Sequence, residues 1–436
     1  MSGHKAALSG KVYCHPGTRF ACACCGKCCT VWDIPITRAE KQRLEEKASR
    51  LEEDLGPKET WFLSYRHASL FLLNKRETRC IFLGSDNLCT IHKLLGEEFK
   101  PLACRLYPFN IFAWKDGSSS ASWHYDCPAV GGSNGKDLPS CIKEINGFAR
   151  EIADVGRLVS AEYGSGRKEK PSIDQLRIIA AGYQKFLIFA DFPPAVRIYA
   201  AARLLEFHSL KGHRTDIVEA GDWFIDDAFN FVSRSIEDLR LAISQAPPLN
   251  ANMRVVFRYL LSGYARSNEE PLARFLPFAR FGRVFRTLSF ILGSGSLKSF
   301  SADSPDSSGN EPLAILAQMP CDESEVMPPY WDFLAGKLAS LHFCGGATLR
   351  LNFQEGMRHL LLSYPVARCF AALFAASEKR DKVNLSDLRR ALILMDHTFS
   401  RSPFFALQHV RRMESKLCSG DALPSLLRLL SSQLVV

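Results

Sequence analysis

Phe20-Ala21-Cys22-Ala23-Cys24-Cys25-Gly26-Lys27-Cys28-Cys29 is the densest chemical signal in the chain. Cys22, Cys25 and Cys28 recur with two residues between them, a spacing that lets three sulfurs converge. Gly26 can take the positive φ that wraps a loop around a metal, and the exposed N–H groups of such a loop donate to thiolate sulfur and offset its charge. Cys28 and Cys29 are adjacent, and neighbouring side chains in extended or turning backbone diverge. More than one metal, or a cluster, is therefore expected.

Ten of the 15 cysteines lie from Cys14 to Cys127, so the chemistry is expected at the front of the chain. The first ten residues contain no continuous apolar run of the length a secretory signal needs, which makes a reducing, cytoplasmic setting the expectation. There, an odd cysteine count with an adjacent pair suits a metal site better than a disulfide framework. Cys80, Cys89, Cys104 and Cys127 are the remote candidates. With Cys22, Cys25, Cys28 and Cys29 they make eight thiols, enough for two four-ligand sites. Cys-ligated iron-sulfur clusters (4Fe-4S) and tetrahedral zinc both use such ligands, and thiolate alone does not choose between them. Cys14 and Cys24 are read as small hydrophobes rather than ligands. His92, in a Cys-x2-His pair with Cys89, also stays outside the set.

With 436 residues, 47% of them hydrophobic, the chain can bury substantial cores and divides into roughly two or three units. A formal charge of +9 over this length implies no nucleic-acid partner. Thr37 and Glu40 form a capping-box signature, and Leu44, Ala48, Leu51 and Leu55 recur at helical spacing up to Gly56-Pro57. Residues 61–74 read as extended chain, and 106–114 and 119–125, joined by Asp116-Gly117, as a hairpin. Helices are expected over 172–190, 194–210, 219–245, 252–266, 352–377 and 386–412. The expected fold class is α+β: a small cysteine-rich metal-binding domain over 1–145, then a mostly α-helical region over 146–292, a linker at 293–312 and a helical C-terminal region over 313–436. The most apolar long segment, 359–376, contains Arg368 and Pro365 and reads as a buried helix, so a soluble protein without a membrane span is expected.

Cys22-x2-Cys25-Gly26-x-Cys28-Cys29 is followed by Trp32-Asp33-Ile34-Pro35-Ile36, Cys80-Ile81-Phe82-Leu83, Cys89-Thr90-Ile91-His92, Cys104-Arg105-x-Tyr107-Pro108-Phe109 and Cys127-Pro128. In order and spacing these segments resemble the YkgJ-type CxxCxxCC cysteine-cluster family over about the first third of the chain. That family is regarded as zinc- or iron-chelating. It includes the flagellin lysine-N-methylases, whose methylation of flagellin lysines is associated with a 4Fe-4S cluster and S-adenosylmethionine. The stretch from Leu88 to Phe99 and the long helical C-terminal part resemble that branch, while Gly26-Lys27 is the generic form of the loop. The resemblance implies an iron-sulfur protein that acts as an S-adenosylmethionine-dependent protein-lysine N-methyltransferase on a protein such as flagellin. A reading from another class stands beside it: a non-catalytic zinc module that recruits a partner through its helices, or a metal-delivery protein.

Methyl transfer to lysine needs a neutral amine and hence a base or a desolvated pocket; Tyr107 and Asp126 are the sequence's candidates. Gly293 and Gly295 continue into serine-rich chain and read as a loop rather than a methyl-donor turn. Seven arginines from Arg254 to Arg286 (Arg254, Arg258, Arg266, Arg274, Arg280, Arg283 and Arg286), interleaved with aromatics, read as an amphipathic helix with a solvated basic face rather than an RNA-binding surface.

Overall fold

The computed structural model describes residues 9–64, 71–154, 156–162, 164, 171–210, 221–265, 277–301, 303–309 and 311–430. Short strands and helices fill the first part and helices almost all of the rest, the α+β class expected. Phe109–Trp114 and Ser119–Trp123 pair antiparallel, with Phe109 opposite Trp123 and Ala113 opposite Ser119. At their turn Gly117 takes φ +84°, and the Asp116 carboxylate accepts from the Ser118 N–H at 3.0 Å. Val12–Tyr13 and Leu158–Val159 add in parallel on either side, giving a four-stranded sheet.

Two hydrophobic cores result. The smaller runs from Ile36 through Trp61 and Phe82 to Leu95 and has Cys29, Cys89 and Cys104 packed at its margin. The larger runs from Phe109 to Leu430, so the hairpin belongs with the helices. Residue 145, expected as the end of the first domain, lies inside the helix Ile142–Asp154, whose Ile145, Phe148, Ala149 and Ile152 are buried. Val12, Cys14 and Phe20 also pack against the larger core.

The segment 293–312, expected as a linker, is folded. Leu297–Ser299 forms one 3-10 turn, Ser296 bridges Ser308, and Leu297, Ser301, Ser304 and Ser307 are buried. A Cβ on Gly309 would sit 1.7 Å from the Phe290 carbonyl oxygen, and one on Gly295 2.7 Å from the Phe290 nitrogen. The glycines serve close backbone approach, which composition alone does not distinguish from flexibility.

Most expected helices form. Phe353–Ser377 starts at a capping box of Asn352 and Glu355 and is long and apolar enough to cross a membrane; nearly all of it lies inside the larger core, Arg368 included. The run expected over 386–412 is three helices, Leu385–Phe399, Pro403–Ala406 and Gln408–Leu417. Pro403 is the reason, since proline has no N–H to give the preceding turn and disfavours helical geometry at Ser402. The run up to Leu55 is likewise broken, into Arg38–Glu45, Ala48–Arg50 and Glu52–Leu55, with its apolar positions still buried. Arg266, Arg274, and residues 65–70 and 219–220 of the expected elements lie outside the described residues.

His342 clamps the hairpin to the helices. Its Nε2 is 2.8 Å from Ser120 Oγ, and its Nδ1 is 2.7 Å from Ser122 Oγ. Burial, with Lys337 and His124 nearby, holds its pKa well below the ordinary 6.5. A histidine kept neutral in the fold but free to charge on unfolding contributes stability that is complete above its ordinary pKa and is lost as pH falls below it. Urea titrations are expected to give a lower unfolding free energy at about pH 5.5 than at about pH 7.5, a decline that His342→Asn reduces.

Candidate metal centre

After Arg19–Phe20 the chain winds past Cys24 at φ +51° and Gly26 at φ +67° into the short helix Cys28–Val31. The Cys29 N–H donates to the Gly26 carbonyl at 3.0 Å, which sets the helix going at the double cysteine. A Cβ on Gly26 would come 3.3 Å from Leu83 Cδ2 and 3.4 Å from Asn87 Oδ1, so this loop lies against the one that carries Cys89. Cys28 Sγ and Cys29 Sγ are 3.9 Å apart. That corrects the expectation that adjacent cysteines diverge, because the backbone here is helical rather than extended. Tetrahedral zinc with Zn–S of about 2.3 Å separates its sulfurs by about 3.8 Å, a spacing that the distance between these two matches.

Cys80 ends the strand Arg79–Cys80, Cys89 stands at the start of Thr90–Leu95, and Cys104 lies in Leu102–Leu106. These three join Cys28 and Cys29 in an inner group in which Cys29, Cys80 and Cys104 each feel the charge of at least two of the others. Burial pushes Cys80 up to about 12 and Cys104 well above its usual value. Cys28 is lowered to about 7 by its contact with the Cys29 thiol and by the nearby Lys100 charge. Five thiols brought together in this way make a soft donor set that a thiophilic ion such as zinc or iron fits.

Cys22, Cys25 and Cys127 stand in an outer group. Cys25 and Cys127 interact electrostatically; burial raises Cys127 to about 11, against the lowering effect of the nearby Tyr107 hydroxyl. Cys24, set aside on sequence grounds, belongs here too, for its N–H donates to Cys22 Sγ at 3.4 Å. The eight expected ligands thus divide five and three, with Cys24 a fourth thiol in the outer group. Cys14 lies apart, beside Cys141, and His92 is exposed.

Three of the cysteine segments also send one side chain into a polar network that spacing gave no sign of. Trp32 follows Cys29, Tyr107 follows Cys104, and Asp126 precedes Cys127. They meet His397 and Arg401 from the helical region: Asp126 Oδ2 is 3.4 Å from His397 Nδ1 and 3.3 Å from Arg401 Nη1, and the Arg401 guanidinium lies 3.7 Å from the Trp32 ring centre. Tyr107 donates to Asp126 Oδ1 at 3.2 Å. Deeper in, Asp396 accepts from Lys337 at 2.6 Å and from the Tyr125 N–H at 2.7 Å. His124, Asp126 and Asp396 bring ligand atoms within 4.8 Å of one another. Arg401 and Lys337 already neutralise both carboxylates, so this cluster is an ion-pair lattice rather than a cation site.

Beside the network opens a cavity of about 610 Å³, lined by Lys27, Asp126, Pro128, Leu394 and His397, with Asp303 to Asp306 at its edge. Lys27, which lies between Cys25 and Cys28, forms an ion pair with Asp303 at 3.6 Å. The cavity and the cysteine loop therefore share a wall.

A family model named CxxCxxCC, described as "Putative zinc- or iron-chelating domain", matches residues 21–127. The match spans Cys22 to Cys127 and supports zinc or iron binding there. The uncharacterized protein MJ0939 of Methanocaldococcus jannaschii is 28% identical over 138 residues, 31% of this chain and 45% of the relative. The chain thus spans less than half the length of that relative. No solved structure matches.

Proposed function

We propose that the inner cysteine group holds a zinc or iron centre and that the cavity beside it receives a side chain of a protein substrate. The finer reading is a cytoplasmic, iron-sulfur, S-adenosylmethionine-dependent protein-lysine N-methylase of the flagellin type. The observation that carries the proposal is adjacency: Lys27, next to Cys28 of the inner group, and Pro128, next to Cys127 of the outer group, both line the cavity. A 4Fe-4S centre, when bound, would supply an iron with a vacant position for the amino and carboxylate groups of the methyl donor.

A lysine amine must lose its proton before it attacks a sulfonium methyl group. Asp126 is a weak acceptor: burial works to raise its pKa, but His397 and Arg401 hold it below the usual carboxylate range. Burial and Asp126 push Tyr107 far up, so its hydroxyl stays a donor. His397, which faces the cavity with Nδ1 toward Asp126, is the better placed acceptor, with Asp126 fixing its orientation.

A non-catalytic zinc module is favoured by one observation, the 3.9 Å between the Cys28 and Cys29 sulfurs. Anaerobic purification separates the readings. Iron with acid-labile sulfide and a brown colour supports the enzyme, and colourless protein with stoichiometric zinc supports the module. Incubation with labelled S-adenosylmethionine and flagellin is expected to label lysine and to lose that label in His397→Asn. No label despite an intact cluster removes the methylase reading.

A further inference from the structure

A second cavity, of about 460 Å³, lies among the helices and shares no lining residue with the one beside the cysteine loop. Its volume is that of a small-molecule site. Ile188, Pro194, Pro328 and Ala335 give it apolar walls, and two side chains of opposite charge, Arg197 and Asp332, line it as well.

Arg197 stands in the first turn of the helix Pro194–Leu210 and is only 4% exposed. Its guanidinium packs 4.0 Å from the Trp331 ring centre, and Nη1 donates to the Leu187 carbonyl at 2.9 Å. Nε is buried with no hydrogen-bond partner, and among the described residues no carboxylate forms an ion pair with this cation. Glu323, the acid it feels at longer range, is already engaged: it accepts from Tyr364 at 2.6 Å and pairs with Arg368 at 3.4 Å. Keeping a buried cation without a counter-ion is costly, and its packing on Trp331 fixes this one before any ligand arrives. Asp332 is half-buried and accepts from Thr18 Oγ1 at 3.3 Å. Among the described residues it too has no ion pair, and His15, the basic group it feels, is biased toward its neutral form by burial.

We infer that this cavity binds a small aliphatic amino acid, its carboxylate on Arg197 and its ammonium group on Asp332. A ligand with both charges answers both residues at once. A simple anion would leave Asp332 unpaired and add a second negative charge to the cavity, and a simple amine would leave Arg197 as it is. The apolar walls suit an uncharged aliphatic side chain. This binding requires neither a metal nor methyl transfer, so it stands apart from the function proposed above.

Isothermal titration calorimetry of the full, metal-replete protein with L-alanine, L-valine and L-leucine provides the test. At least one of them is expected to bind saturably at a single site. Its counterparts without the amine or without the carboxylate (isocaproate and isoamylamine for leucine) should each bind at least about tenfold more weakly, because each leaves one charged side chain unanswered. Arg197→Met and Asp332→Asn should each weaken the amino acid by at least about tenfold, and Asp332→Asn should also narrow the gap between the amino acid and its deaminated counterpart. Unchanged thermal unfolding confirms the fold of each variant, and if Arg197→Met does not fold, Asp332→Asn decides. No saturable binding of any of the three amino acids overturns the inference. So does a counterpart with one charge that binds as tightly as the amino acid, or wild-type affinity in Asp332→Asn.

Discussion

Cys28→Ser/Cys29→Ser is expected to reduce bound metal from stoichiometric to background and to unfold the cysteine-rich part while the helical region stays folded. The pair supplies two sulfurs 3.9 Å apart at the start of one helix, in a group where Cys80 is buried and Cys89 and Cys104 are half-buried. Serine offers no thiolate at neutral pH, so the three remaining inner sulfurs would have to hold the ion alone. The core around them is small, with twelve buried apolar residues from Ile36 to Leu95. Cores of that size usually need a staple, and a structural zinc site in a small domain contributes on the order of 10 kcal/mol of apparent binding free energy. Limited proteolysis with metal analysis reads both effects. Cys14→Ser, remote from the centre, should leave metal content unchanged.

The second large effect lies in the helical region. Lys337 and Asp396 form an ion pair at 2.6 Å with both side chains about fully buried. Burial alone would raise the Asp396 pKa, but Lys337 and His124 hold the carboxyl far below its usual range. Lys337→Met leaves that carboxylate in the core without its cation, a change that costs about 3–5 kcal/mol. Equilibrium unfolding in guanidinium should show this loss. Lys337→Met/Asp396→Leu should recover much of it, because an apolar pair of similar volume carries no desolvation cost. If the single and the double variant are equally unstable, the ion pair is not what the site loses.

Local signals were legible in the sequence where one residue type fixes the backbone. Thr37 with Glu40 forms the reciprocal cap expected. Asp116-Gly117 turns the hairpin. Cys22, Cys25, Cys28 and Cys29 are picked out by spacing, and Cys80, Cys89, Cys104 and Cys127 more by the family resemblance; the grouping of the thiols follows from neither, because it depends on how the Cys89 loop and Leu102–Leu106 fold against the double cysteine. His397 and Arg401 were invisible for a related reason: each is an ordinary helix-face or turn residue until Asp126, more than 270 positions away, is brought beside it. The serine- and glycine-rich loop and the basic-aromatic stretch were read from composition. Composition does not tell whether a glycine frees a chain or lets two backbones touch, nor which face of a helix is left uncovered: in Pro277–Ile291, Phe281 and Phe285 are exposed.

X-ray absorption at the metal edge, on protein expressed with iron and zinc and purified without oxygen, tests the central claim most directly. A shell of sulfur neighbours, at about 2.3 Å for either tetrahedral zinc or an iron-sulfur centre, is the predicted result. A folded protein that holds no metal, or one whose metal sees only oxygen and nitrogen, would contradict it.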